Sequence, residues 1–551
     1  MKLRHLLFGV LAGVAFVACT NDNEPAGSTP VKGTDEVAAT TKSYMNISLA
    51  MPGNAATRAA AEGFEYGETK ENTVTSGVLL FFDGTTQVAD PFDLKDLAWT
   101  NDQEPTIEKI SEVVVVLENP LKNPTSVVAL LNADLKVVTG LGENATDDAV
   151  KDALKSMTLN DLKKVVADFS ATDAGKFVMS SSAYNEAVNK IAAEISEDMI
   201  WDTEADAKKA PSVKIPVERV VAKVLTNTAD ATLNLANAET PSNTVVIGGQ
   251  EVTLTAKVMG WWLDNTASTS LLLKDITGMA AADNDKANMR SYWAKPVPGT
   301  LNHGSWSVAD PDAMALPQYV QENVAVDEAA ATDAQKANNL DATQVVVAVQ
   351  LLNGTTPVQL VKYLGKLYYQ EGFNTEAINV LAHKYYTKNG NDFTTVGAND
   401  FTITYVNNKT ENASTLLPEG VTLKDYQAYT LIEKADAQAT FYVKNAAGEY
   451  VEADATVLAN DMKGYVVQQW NDGMAYYFTA IKHDASRKAV IRNHVYKVNV
   501  NSINGLGTPV PFEDTDTIIP IIPENEETYI SAEIDILAWK VVENNVNLTA
   551  N

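Results

Sequence analysis

Met45-Asn46-Ile47-Ser48-Leu49-Ala50-Met51 sets large apolar side chains at every second position and small or polar ones between them. A period of two places Met45, Ile47, Leu49 and Met51 on one face of a β-strand. If all four are buried, they contribute on the order of 6–12 kcal/mol of hydrophobic stabilisation, an upper estimate. Upstream lies a polar, acidic spacer that begins at Cys19, the only cysteine in the chain. Downstream lies Ala55-Ala56-Thr57-Arg58-Ala59-Ala60-Ala61, small residues around one basic residue. Arg58 is the only arginine between Arg4 and Arg219, and small flexible neighbours suit a cutting point. The stretch from Cys19 to Arg58 therefore reads as an anchor, a removable strand and a cleavage site at Arg58–Ala59. Losing such a strand would expose an apolar groove and two unpaired backbone edges, which a replacement strand would have to fill.

The residues before Cys19 explain the anchor. Lys2 and Arg4 precede an apolar run from Leu6 to Val17, the charge and length pattern of a signal peptide. Phe16-Val17-Ala18-Cys19 resembles a bacterial lipobox, with Phe16 where leucine is usual. This predicts residues 1–18 as a lipoprotein signal peptide, lipidation of Cys19, and 19–58 as a propeptide with tether and strand.

The bulk composition excludes several classes. A chain of 551 residues suggests about two to four domains. With 45% hydrophobic and 21% charged residues the chain is globular. Lys plus Arg is 42 against 71 for Asp plus Glu, a net charge of −29, which makes nucleic acid and anionic membrane surfaces poor partners. One cysteine cannot form a disulfide framework within the chain or a Cys-rich metal site. Beyond the N-terminus no apolar run approaches the roughly 18 residues of a membrane helix.

Strand signals dominate the body. Val78–Phe82 runs into Asp83-Gly84, and Val113–Leu117 and Val127–Leu131 are apolar, β-branched runs separated by Asn-Pro breakers. Asp147-Asp148 and Asn160 read as caps of two helices, the second carrying Leu162, Val165, Val166 and Phe169. Strands resume at Val213–Leu225, Thr244–Ile247 and Val252–Leu263, and again at Gln344–Leu352, closed by Asn353-Gly354. Val358, Val361, Leu364 and Tyr368 have helical spacing. Further strand-like runs lie at Phe401–Val406, Ala439–Val443, Tyr465–Trp470, Tyr476–Ile481 and Val495–Val500. Short strands at this spacing, with helices only as inserts, predict a mainly β chain of two β-sandwich domains, 59–268 and 269–516.

No constellation calls for catalysis, a metal or a cofactor. The five histidines show no metal spacing, and Gly140-Leu141-Gly142 reads as a turn leading to a helix cap. Asp283-Asn284-Asp285 lacks the glycine and glutamate that a calcium loop needs. Trp261-Trp262, Tyr368-Tyr369, Tyr385-Tyr386 and Tyr476-Tyr477 read as core or interface packing, with a sugar platform as the alternative.

The C-terminus carries a second alternating segment. Ile530, Ala532, Ile534 and Ile536 share one face; Leu537, Trp539 and Val541 take the opposite parity, and Val546 and Leu548 resume alternation. Residues 517–551, with Pro520 and Pro523, read either as an arm bearing a donor strand or as closing strands of the second sandwich.

Several stretches together resemble the fimbrillin family of type V pilins, near the Mfa-like short-fimbria major subunits. They are Glu62–Gly67 leading to Val78–Asp83, Ile215–Val224, Met289–Ala294, and Arg492–Val498 through Gly505–Pro509. The resemblance implies two transthyretin-like β-sandwich domains and export as an outer-membrane lipoprotein precursor. It implies cleavage after Arg58 by an arginine-specific protease, polymerisation by donor-strand exchange into an extracellular fimbria, and a part in adhesion. The implied partners are identical or related subunits, that protease, and a host or bacterial surface ligand, with membrane contact only through the precursor's lipid. The rival reading is a permanently anchored outer-membrane lipoprotein that binds glycan or host protein.

Overall fold

In the computed structural model the chain is described outside residues 1–41, 52–64, 66, 96, 98–99, 102–108, 119, 171–175, 187–188, 229–231, 237–243, 298, 307–315, 511–516, 519–527, 531–539 and 551. The principal strands of the two large sheets are β1 (Lys42–Met51), β2 (Gly77–Asp83), β3 (Lys109–Glu118), β4 (Ser126–Leu131), β5 (Met179–Ser181), β6 (Val213–Arg219), β7 (Ala222–Thr228), β8 (Thr255–Asp264), β9 (Gln344–Asn353), β10 (Met474–Ala480), β11 (His494–Asn504) and β12 (Lys540–Ala550). The chain is mainly β, as its alternating runs predict.

The first sheet runs Thr86–Gln87, β2, β4, β5, β6, β1, β3, Thr100–Asn101. β2 turns at Asp83-Gly84 into a tight hairpin, with Gly84 at φ 61°. One face of this sheet buries Leu79, Phe81, Val115, Val127, Met179 and Ile215. The other packs Val78, Leu80, Phe82, Val128 and Leu130 against the helix Asp147–Ser156 through Val150 and Leu154. These strands are covered on both faces, which is why they read as nearly continuous apolar runs.

The second sheet contains Gln318–Val320, β7, β11, Thr232–Ala236, β8, β9, β10 and Thr508–Pro509, in that order. β12 pairs with β11 in parallel, from His494 opposite Lys540 to Ser502 opposite Asn547. Its core gathers Val224, Val258, Trp261, Val345, Val347, Val349, Tyr477, Tyr496 and Val498. Between β9 and β10 an insertion forms two smaller sheets around the helix Gln370–Ala382.

Four expectations need correction. Val213–Leu225 is not one strand: it breaks at Val220-Val221, which are buried, and the break carries the chain from the first sheet to the second. Between Ala222 and Asp264, β7, Thr232–Ala236 and β8 pair within the second sheet while Thr244–Ile247 and Gln250–Thr253 pair with each other, so the change of sheet falls near residue 220. Composition changes visibly at 265–285, where β8 has ended and short strands pair outside the second sheet, Ser270–Leu271 with Val166–Ala167 among them.

Val358–Tyr369 is a hairpin of Leu360–Tyr363 and Lys366–Tyr369, with Leu364 and Gly365 both at positive φ in a two-residue turn. Two turn residues between two alternating strands mimic a three-to-four residue period. The helix expected from Asn160 onward stops at Leu162, capped by Thr158 and Asp161, and Val166-Ala167 pair with Ser270-Leu271 instead. Thr146, not Asp147, caps the helix before it.

Candidate strand-exchange site

β1 lies inside the first sheet. All ten of its residues pair antiparallel with β3, from Lys42 opposite Glu118 to Met51 opposite Lys109. On its other side Ile47–Ala50 pair in parallel with Val213–Pro216. Nearer its start the backbone of Tyr44 exchanges hydrogen bonds with Trp201 at 2.7 and 2.8 Å. Neither edge of the strand is left open to solvent along these stretches, so the strand fills a slot between β3 and β6.

The side chains match that placement. Met45, Ile47 and Leu49 are fully buried, packed in the core with Leu79, Phe81, Val115, Leu117, Val213 and Ile215. Burying three such side chains contributes about 5–9 kcal/mol. On the opposite face Ser48 is buried and Asn46 half-buried, while Ser111 is buried beside its partner Leu49 on the core face. The backbone of Met51 belongs to β1, but its side chain lies outside the described residues, as do Cys19, Arg58 and Ala59.

At the C-terminal end, β12 contains Val541, Val546 and Leu548, and Ile530 ends the short strand Thr528–Ile530, which pairs antiparallel with β12. Ala532, Ile534, Ile536, Leu537 and Trp539 lie outside the described residues. In this single chain the tail thus closes its own second sheet beside β11.

Sequence reasoning missed a polar junction between the two sheets. Arg219, at the end of β6, is fully buried; its Nε donates to the Glu71 carbonyl at 2.9 Å and its NH1 to Asn493 Oδ1 at 3.2 Å. Lys223 Nζ meets Glu71 Oε1 at 2.8 Å, and the Tyr319 hydroxyl donates to the same carboxylate. Burial opposes the charge on Glu71, but Arg219 and Lys223 outweigh it and hold the carboxyl below its ordinary value.

Beside this group, Lys274 Nζ lies 2.8 Å from Glu218, and Arg492 pairs with Glu322 at 2.7 Å while donating to the Leu272 carbonyl at 3.0 Å. Desolvation pushes Glu218 up and Lys274 down. A small void at the end of β1 is lined by Ala50, Glu218, Arg290 and Asn493, so slot and junction are contiguous.

The signal for the junction was present in the text. Val217-Glu218-Arg219-Val220-Val221 sets two charges inside an apolar run, which demands buried partners. The partners themselves come from positions 71, 274, 322 and 492, which no local pattern connects. Three of the stretches that carried the family resemblance, 215–224, 289–294 and 492–498, supply Glu218, Arg219, Lys223, Arg290 and Arg492 to this one region.

The aromatic pairs fall mostly in the core: Trp261, Trp262, Tyr385, Tyr476 and Tyr477 are buried, whereas Tyr368 and Tyr369 are half-buried. His483 and His494 are buried against one another with ring centroids 5.1 Å apart, and His303 Nδ1 lies 3.1 Å from Asp264. Among the described residues no group of three or more His, Cys, Asp or Glu is arranged to hold a metal ion.

A mainly β chain with an N-terminal strand threaded through the middle of a sheet is a β protein organised around an inserted strand. Residues 468–545 match the family described as major fimbrial subunit protein type IV, fimbrillin, C-terminal. The fimbrillin family is thus the one this chain resembles, and the match covers β10, β11 and the start of β12. No curated protein matches the chain.

Among solved structures it is similar to a putative cell adhesion protein from Parabacteroides distasonis ATCC 8503, at 9% identity over 92% of this chain and 99% of that one, TM-score 0.33. It is also similar to a fimbrial assembly protein from the same strain, at 10% identity over 75% and 100%, TM-score 0.29. A third is the tip fimbrial protein Mfa3 from Porphyromonas gingivalis with C-terminal truncation, at 13% identity over 59% and 83%, TM-score 0.28.

Proposed function

We propose that this protein is a structural subunit of a cell-surface fimbria. It is exported as an outer-membrane lipoprotein precursor anchored at Cys19, cut after Arg58 and polymerised by donor-strand exchange. The observation that carries the reading is β1: a strand buried on its core face, paired on both edges, and followed in sequence by the small-residue linker around Arg58. Cleavage there separates β1 covalently from the rest of the sheet. Its departure leaves a slot between β3 and β6, lined by Val115, Leu117, Val213 and Ile215, which only another strand can fill with both hydrogen bonds and apolar side chains.

The C-terminal segment 517–551 is the donor in this reading. β12 already takes strand form beside β11, and a tail that enters the slot in place of β1 would run parallel to β6 and antiparallel to β3. Donation requires β12 to leave its own sheet first. Fimbrillin-like subunits of the same kind are the partners, and the chain is a scaffold, not an enzyme. Treating purified precursor with an arginine-specific protease should yield filaments whose subunits begin at Ala59. Deleting residues from Tyr529 onward should leave a folded monomer that no longer polymerises. Filaments beginning at Cys19, or polymer formed without residues 529–551, would overturn the mechanism.

A further inference from the structure

The insertion between β9 and β10 forms, with the hairpin Thr244–Ile247/Gln250–Thr253, one wall of a cleft of about 680 Å³. This lies within the size range of small-molecule sites. Its lining brings together Gly248 and Gly249 in one turn, Gly365 in another, Tyr368 and Tyr369, and Lys366 and Glu376.

Three features set this cleft apart from a packing gap. Gly372 lies in the first turn of the helix Gln370–Ala382, where helix propensity favours alanine over glycine. It has no positive φ, and a Cβ there would meet nothing within 4 Å, so neither backbone nor packing asks for glycine. Its missing side chain leaves the cleft open beside Glu376. Next, Tyr368 and Tyr369, successive residues of one strand and so on its opposite faces, are half-exposed yet held in place, Tyr368 by the edge of Phe373 at 5.8 Å and the Tyr369 hydroxyl by Asn353 at 3.2 Å, so the cleft has one aromatic ring on either side of that strand. Finally, Lys366 and Glu376 are exposed and, among the described residues, form no ion pair with any group. They offer one charged donor and one charged acceptor with no net charge.

From this lining we infer that the cleft binds a neutral saccharide. Sugar rings present an apolar C–H face suited to aromatic side chains and a rim of hydroxyls that both donate and accept. The pair Lys366 and Glu376 meets that rim in both senses, and the turn glycines Gly249 and Gly365 put no side chain between the main chain and a ligand. A polyanionic glycan fits less well, because Glu376 and the chain's net charge of −29 oppose it. The cleft lies in the second sheet's insertion, apart from β1 and its slot, so a subunit could adhere through it whether or not it polymerises.

The test is titration calorimetry on the full chain with N-acetylglucosamine tetramer, mannopentaose and lacto-N-tetraose, alongside a heparin hexasaccharide. At least one neutral oligosaccharide should bind, and the heparin fragment should bind at least tenfold more weakly. Gly372→Leu should weaken binding at least tenfold while raising the melting temperature, which separates a blocked cleft from a misfolded chain. Glu376→Gln should weaken binding with the melting temperature unchanged. Absence of binding to all three neutral probes, preference for heparin, or full affinity in Gly372→Leu would each overturn the inference.

Discussion

Truncating the inserted strand at its centre is the sharpest test of how it is held. Ile47 faces Val113 on one side and Val213 on the other, and Leu49 faces Ser111 and Ile215; both side chains are fully buried. Each truncation to alanine removes buried methyl groups and leaves a cavity whose walls belong to strands paired on both sides and so cannot collapse. The expected loss is about 2–4 kcal/mol for Ile47→Ala and the same for Leu49→Ala. The double variant should lose about 4–8 kcal/mol, allowing for coupling between neighbours on one strand face. Because a typical domain has only about 5–15 kcal/mol to lose, the double variant should nearly abolish the cooperative unfolding of the first sheet.

The second sheet packs around a separate core and should keep its own transition. Urea denaturation followed by circular dichroism, with hydrogen exchange read separately over β3 and β11, measures both. Asn46→Ala, on the half-buried face of the same strand, should change stability by no more than about 0.5 kcal/mol. Losses below about 1 kcal/mol in both single variants would show that β1 is not seated in this slot, and the strand-exchange reading would lose its basis.

The polar junction makes its own demands. Arg492→Met strands the buried carboxylate of Glu322 and should cost about 3–5 kcal/mol, whereas adding Glu322→Leu should restore most of the loss, as urea midpoints would reveal. Glu71 is held below its ordinary carboxylate value, so its contribution is present above the unfolded value of 4.5 and is lost as the pH falls toward its folded value. Glu71→Gln should therefore flatten the decline of melting temperature on acidification below about pH 5; an unchanged slope would remove Glu71 from that role.

Of the six arginines in the sequence, Arg4 leaves with the signal peptide in this reading, Arg219, Arg290 and Arg492 are buried, and Arg487 is bound to Asp283 and Asp484, which leaves Arg58. An arginine-specific protease should cut the native precursor only at Arg58–Ala59, but a urea-unfolded one at the other arginines as well. Mass spectrometry of the fragments checks this, and native cleavage at Arg219 or Arg492 would contradict the burial.

Legibility followed the range of the interactions. Val78–Phe82, Val113–Leu117 and Gln344–Leu352 were readable because a strand advertises itself through its own residues and its turn. The hairpin at Leu360–Tyr369 was not, since Leu364-Gly365 is an unusual pair for a turn with two positive φ angles and its flanks imitate a helical period. The helix signal after Asn160 failed for a similar reason: Val166 found a strand partner in Leu271, more than 100 residues away.

By itself the sequence determined the alternation of β1, its three buried positions, the mainly β class and the unusual isolation of Arg58, because each is a property of neighbouring residues. Only the tertiary structure decided that β1 sits between β3 and β6 rather than at an edge, that the chain changes sheet near residue 220, and that Glu71, Arg219, Lys274, Glu322 and Arg492 share one buried junction. Pairing order and ion-pair partners are chosen by which surfaces meet after folding. Sheet hydrogen bonds are chemically identical at every residue, so the choice among partners rests on packing that spans hundreds of positions and leaves no local trace.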